Sequence, residues 1–351
     1  MSEVIYDPTP EQFGVFWKYV DDPDVTDIDF NGRALWITNL HTGRHKVDEK
    51  ITDDFLIAFA HNIGNCVNKP FNNANKILEA DTKELRISII HDSAATGISV
   101  CIRKSPPVIR NTISGMIKDK YCPTDILMLL INCVTAGMNF VIGGEPGSGK
   151  TEFVKFLMQF IPLEKRVITI EDSLEIHYSE INPDADAVEL RVGEDFSYTD
   201  AIKACLRQNP MWLVLSEARS VEVTSLIEQW STGVNGITTI HLDDLRKLPD
   251  RIENMMNDVN DASRLENRIY RYVNVGVLIR REKEADGGIR RYIDQMCFYV
   301  REEHKNRVYM LVEDGEIISR KIPADIAKRL KLAGIDEFFW CDLDPFIKRG
   351  M

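Results

Sequence analysis

The sequence predicts an α/β protein in two parts, a small α+β domain followed by a larger domain built on a twisted, mostly parallel sheet. Three observations predict this. Beyond residue 121, helix-like segments alternate with the apolar runs Phe140–Ile142, Val167–Ile170, Trp212–Leu215 and Ile237–Ile240. Apolar runs without polar alternation are what strands buried on both faces require. A glycine-rich loop follows the first run and opens a helix, and the chain before residue 104 has a different, mixed pattern.

In that first part, Asn31-Gly32 is a hairpin-turn signal ahead of a strand over Arg33–Asn39. Thr52–Cys66 reads as a helix, with Phe55, Leu56, Phe59, Ile63 and Val67 recurring at helical spacing. Leu85–His91 and Gly97–Arg103 read as strands joined by a polar turn. Pro106-Pro107 can continue neither a helix nor a central strand, so the expected division is a domain over 1–105, a linker over 106–119 and a second domain over 120–351. The apolar stretch Ile126–Ile142 is broken by Asn132, Thr135, Gly137 and Asn139. It reads as a helix followed by a strand, because a membrane span needs about 20 unbroken apolar residues. After about residue 285 come two further β-like runs, Ile289–Val300 and Val308–Glu313, and a basic helix near Ala324–Leu332. Its Lys328, Arg329 and Lys331 read as a solvated face.

Composition excludes several classes of function. A net charge of −12 over 351 residues disfavours bulk nucleic-acid binding. Seven scattered cysteines with no CxxC pair argue against a disulfide framework or a structural zinc site. The start MSEVIYDPTPEQ is acidic and proline-containing, unlike a signal peptide. The expectation is a soluble, cytoplasmic protein.

The string Asn139–Thr151, NFVIGGEPGSGKT, contains Gly144, four residues, then Gly149, Lys150 and Thr151. This is the P-loop pattern in its required strand–loop–helix setting. Its backbone N–H groups and the following helix N-terminus suit the phosphates of a nucleoside triphosphate, taken to be ATP. Gly144, Glu145, Pro146, Gly147, Ser148, Gly149, Lys150 and Thr151 are therefore the candidate nucleotide-binding residues. Lys150 suits the β- and γ-phosphates and the Thr151 hydroxyl suits Mg²⁺. Three other strands deliver ionisable groups at the same end, Glu171-Asp172 after Ile170, Glu217 after Ser216, and His241 after Ile240. Each alone also fits a helix cap or a packing residue; together, at the carboxyl ends of parallel strands, they mark a site.

In order and spacing these motifs resemble the secretion ATPase family, the motors of type II and type IV secretion systems and of pili. VITIEDSLEI (167–176) is similar to the family's Asp box, LRQNPMWLVLSEARS (206–220) to its Leu-Arg-x-x-Pro segment and Walker B, and GVNGITTIHLDD (233–244) to its His box. VTDIDFNG (25–32) and RISIIHDSAATGISVCIRK (86–104) resemble the N-terminal domain of the tight-adherence and conjugation-type branch. The resemblance implies a RecA-like second domain and a hexamer at the inner face of the cytoplasmic membrane. It implies an inner-membrane platform or coupling protein as partner, with direct nucleic-acid binding not expected. It implies Glu171 as the base for the attacking water, Glu217 as the Walker B acid supporting Mg²⁺, and His241 as a γ-phosphate sensor. Arg207 and Arg103 become charge-neutralising arginines, with Arg86, Arg110, Arg191 and Arg219 as unranked further candidates. SEARS, Glu145-Pro146 and HLDD depart from the usual motifs, and the tetra-cysteine module of type II motors is absent, which points to a divergent conjugation-like or tight-adherence branch. The alternatives are a nucleotide-gated switch with little turnover and, with less support, a RecA-like DNA translocase.

Overall fold

A computed structural model of the chain describes residues 6–255, 262–285, 287–343 and 346. Two compact units result. One comprises the chain up to Pro107 with Ser173–Glu175 and Lys283–Arg290; the other holds the remainder.

The first unit is an antiparallel sheet of six strands, β1 (Val25–Phe30), β2 (Leu35–Asn39), β3 (Gly43–Val47), β4 (Ile77–Asp81), β5 (Leu85–Ile90) and β6 (Ser99–Lys104). They are arranged β3-β2-β1-β6-β5-β4. The expected turn joins β1 to β2, with the Asn31 side chain accepting from the Arg33 and Ala34 N–H groups. The helix Asp53–Cys66 starts at Thr52, whose hydroxyl accepts from Phe55 N–H at 3.3 Å. Its Leu56, Phe59, Ala60 and Ile63 are buried with alternate residues of the central strands, such as Ile28, Ile87, Val100 and Ile102. β3 is an edge strand with mostly exposed side chains, which is why its apolar pattern is weak, while β4 at the other edge buries only Leu78 and Ala80.

The second unit carries a nine-stranded sheet among the described residues. Its strands are β7 (Phe140–Gly144), β8 (Val167–Glu171), β9 (Ala187–Arg191), β10 (Trp212–Leu215), β11 (Asn235–Ile240), β12 (Val275–Lys283), β13 (Ile289–Glu302), β14 (Lys305–Glu313) and β15 (Glu316–Ile317). The order is β15-β14-β13-β12-β7-β11-β10-β8-β9. All pairings from β12 to β9 are parallel, and β13-β14-β15 extend the sheet antiparallel. Each of the four expected runs is a central parallel strand. Successive residues feed opposite faces: Ile142, Trp212, Val214 and Ile237 join the core under the helices Thr124–Thr135 and Lys150–Met158. Val141, Leu213, Leu215 and Ile240 join the core under Tyr198–Cys205, Glu222–Ser231 and Ala262–Tyr272. Two cores on one sheet demand strands apolar on both faces.

Three sequence expectations change. β9 and β12 are parallel strands that the apolar runs did not reveal. The segment expected to be linker contains the helix Ile113–Lys118, capped by Thr112, whose hydroxyl accepts from Gly115 N–H at 3.1 Å. The basic helix Ala324–Leu332 forms, but Arg329 is not a solvated residue. It donates to the Asn274 side-chain oxygen and to the Gly137 carbonyl, both at 2.6 Å, and burial pulls its pKa down. No helix among the described residues is long and apolar enough to cross a membrane.

Candidate functional site

β7 ends at Gly144, and the helix Lys150–Met158 begins after the loop. Gly144 has φ +150°, and a Cβ there would lie 2.6 Å from both the Ile279 carbonyl oxygen and Ser148 Oγ. No other residue fits that position. Gly149 caps the helix in the left-handed region at φ +96°, with no side chain closing the helix's first N–H groups. Those donors and the helix dipole suit an anion. Ser148 is buried, and its hydroxyl has no hydrogen-bond partner among the described residues. A glycine-shaped cradle, an uncapped helix start and an orphaned buried hydroxyl fit a phosphate chain.

From the loop a chain of contacts crosses the ends of the central strands. Lys150 Nζ donates to the carbonyls of Gly144 and Glu145, both at 3.0 Å, and lies 3.2 Å from His241 Nδ1. His241 Nε2 is 2.8 Å from Glu217 Oε1. The other Glu217 oxygen accepts from Arg219 at 2.9 Å, and Arg219 also reaches Asp172 Oδ2 at 2.8 Å. Partial burial opposes the Arg219 cation, but the hydrogen bond to Glu217 and the charge of Asp172 more than offset it, so its pKa stands above the usual guanidinium value.

The surrounding loops are braced. Asp172 N–H donates to the Tyr198 hydroxyl at 3.0 Å, and burial pushes that phenol up to about 12. Thr239 Oγ1 donates to the Ser216 carbonyl at 2.7 Å. Buried Glu222 accepts from the N–H groups of Arg219 and Ser220 at 2.6 and 2.7 Å, tying the SEARS loop to the next helix.

The candidates divide. Lys150, Glu217 and His241 are brought together, and Glu145 and Pro146 sit exposed on the loop. Thr151 is half-buried in the first helical turn. Glu171 is fully buried at the end of β8, and its Oε2 accepts from Ile176 N–H at 3.0 Å. Its neighbour Asp172 is the acid that joins the chain of contacts. Arg207 is exposed in the turn after Tyr198–Cys205 and lies outside that chain. Arg103 belongs to the first unit and pairs with Asp27 at 3.0 Å. Arg219, unranked in the sequence, holds the position that neither of these two occupies; its only signal was lying two residues after Glu217. Beside the loop a cavity of about 440 Å³ opens, lined by Gly144, Glu145, His241, Asp243, Lys247 and Arg251 among others.

The family described as type II/IV secretion system protein matches residues 72–275, and the chain belongs to that family. An uncharacterized protein of Bacillus anthracis is 30% identical over 280 residues, covering 76% of this chain and 62% of that protein. The type IV secretion system protein VirB11 of Brucella suis is 29% identical over 187 residues, covering 50% of this chain and 51% of that protein. The chain thus spans less than two thirds of either relative's length. Among solved structures, the Legionella pneumophila ATPase DotB aligns at TM-score 0.63 and 16% identity, covering 86% of this chain and 84% of that one. The pilus retraction motor PilT with bound ADP aligns at TM-score 0.56 and 16% identity, covering 91% of this chain and 86% of that one. These structural likenesses establish the shared fold: an α+β N-terminal domain followed by a RecA-like domain.

Proposed function

We propose that this member of the type II/IV secretion family is a motor that hydrolyses ATP to ADP and phosphate, working as a hexamer at the cytoplasmic face of a membrane to power secretion, conjugative transfer or pilus assembly. The observation that carries the reading is the contact chain from the glycine loop through Lys150 and His241 to Glu217. It joins the residue that suits the phosphates to the acid that suits a metal and water. VirB11, DotB and PilT, named as a secretion protein, an ATPase and a pilus motor, support the setting.

The residues fit Mg²⁺·ATP. The loop N–H groups, Ser148 and Lys150 would hold the phosphates, and Thr151 with Glu217 would hold the metal. Bound Mg²⁺ neutralises phosphate charge. Lys150, now held by two carbonyls and His241, turns to the phosphates and offsets charge developing there. His241, bonded to Glu217, couples occupation of the loop to the orientation of that acid. Glu171 is the base in this reading, on motif match, with Glu217 supporting it. Arg207 and Arg103 remain the motif-based charge-neutralising arginines and Arg219 joins them on geometry. An inner-membrane platform or coupling protein is the proposed partner, and direct nucleic-acid binding forms no part of the reading.

One observation favours a second reading. Both Glu217 oxygens are held, one by the His241 ring and one by the Arg219 guanidinium, so turnover requires that pairing to open. A nucleotide-gated switch with little turnover would keep it closed. The test is steady-state phosphate release by the protein and by Glu217→Gln, with light scattering in the presence and absence of Mg·ATP. Hexamers whose phosphate release vanishes in the variant support the motor. Tight ATP binding with substoichiometric phosphate release replaces it with the switch.

A further inference from the structure

A second set of cations lies against the same loop, apart from the Lys150–His241–Glu217 chain. β12 runs beside β7, with Ile279 opposite Gly144, so Arg281 two residues on lies alongside the loop. A Cβ on Gly147 would sit 3.1 Å from Arg281 Nη1. A Cβ on Gly149 would sit 3.4 Å from Arg291 Cδ and 3.8 Å from its Nε, on neighbouring β13. The loop glycines thus admit guanidiniums as well as backbone turns. Arg110 approaches from the segment after the Pro-Pro pair, with Nη1 3.9 Å from Glu152 Oε1. Among the described residues Glu152 is the one acid reaching Arg110, and it also serves the buried Lys155 at 3.3 Å.

Burial depresses the pKa of Arg291, and the charges of Arg281 and Arg110 depress it further, with Tyr121 and Glu152 acting in the opposite direction. Like cations gathered at a glycine cradle gain stability from a multivalent anion, and planar guanidiniums match phosphate oxygens two at a time. We propose that Arg281, Arg291 and Arg110 bind the phosphate chain of the nucleotide, adding to the grip of Lys150 and the loop N–H groups. This rests on the nucleotide-binding reading above. It adds Arg281 and Arg291, on strands that no nucleotide motif marks, and singles out Arg110 from the unranked candidates.

The test is a calorimetric titration with Mg·ATP, and with inorganic tripolyphosphate as a base-free probe, of the full chain and its variants. Arg281 is exposed, so Arg281→Ala keeps the fold, checked by its melting curve. Its affinity for both ligands should fall about tenfold or more, the usual effect of losing a charged hydrogen bond. Arg291→Gln should behave alike, with Arg291→Lys recovering part of the loss, and Arg110→Ala should show a smaller loss of the same kind. Unchanged affinity for both ligands in folded Arg281→Ala and Arg291→Gln overturns the proposal while leaving the motor reading intact. Weaker ATP binding with unchanged tripolyphosphate binding also overturns it, placing these arginines on the base or ribose. A wild-type chain that binds neither ligand overturns the nucleotide reading itself.

Discussion

The two ends of the parallel sheet carry polar networks of opposite character. At the carboxyl ends the groups are ions and an imidazole, and two are well exposed, with the Arg219 and His241 side chains at 52% and 42%. At the amino ends the groups are mainly buried amides. Asn139 donates from its side chain to the Tyr272 carbonyl at 2.7 Å, accepts from Gly236 N–H at 3.0 Å, and gives its own N–H to Asn274 Oδ1 at 3.0 Å. Arg329 closes this network on Asn274 and Gly137. Amides there satisfy one another within the fold and have no cause to exchange partners. The ions at the other end are held by groups that a phosphate or a metal can replace. One end ties the strands together, and the other offers charges that can change partner.

Five substitutions break or sharpen that contrast. Lys150→Ala should have the largest effect, reducing phosphate release to background while the melting temperature stays near wild type; normal turnover would remove the loop from the chemistry. Glu217→Gln and Glu171→Gln should each slow turnover on the order of 10²–10⁴-fold, the usual contribution of a positioned acid–base group. If only Glu217→Gln does so, with equal ATP binding in both, the buried Glu171 is structural and the base lies elsewhere in the contact chain. At the opposite end, Asn139→Ala leaves buried backbone groups unsatisfied and should destabilise the protein by about 2–4 kcal/mol, read by denaturant unfolding. Turnover per folded molecule should be unchanged; a comparable loss of turnover would show that the two ends are not separable. Arg329→Met keeps the stem's packing and loses two hydrogen bonds, so a smaller destabilisation of about 1–3 kcal/mol is expected in the same measurement.

What was legible in the sequence follows from locality. The glycine loop with its lysine and threonine is contiguous, and the apolar runs of β7, β8, β10 and β11 show their burial directly. β9 hides because it is an edge strand with half-buried residues throughout. β12 hides because its five buried residues lead into an exposed charged tail. Arg219 could not be ranked for a related reason. It lies in the same motif as the exposed Arg207, and it joins the contact chain because β10 lies beside β8, which sets Asp172 and Glu217 on either side of it. Arg281 and Arg291 gave no signal at all, since nothing near them in sequence mentions a phosphate. Arg329 shows charge in the sequence but not the docking that buries it.

The sequence by itself determined the loop, the four central strands, and which strand ends carry ionisable groups. Only the tertiary structure decided how those groups line up. The strand order β7-β11-β10-β8 places Gly144, His241, Glu217 and Asp172 at successive strand ends, and the contact chain from Lys150 to Asp172 follows that order. Parallel neighbours about 4.8 Å apart bring such ends within reach of one side chain. Strand order is set by how the helices cover the two faces of the sheet, a property of the packed chain that no local stretch of residues contains.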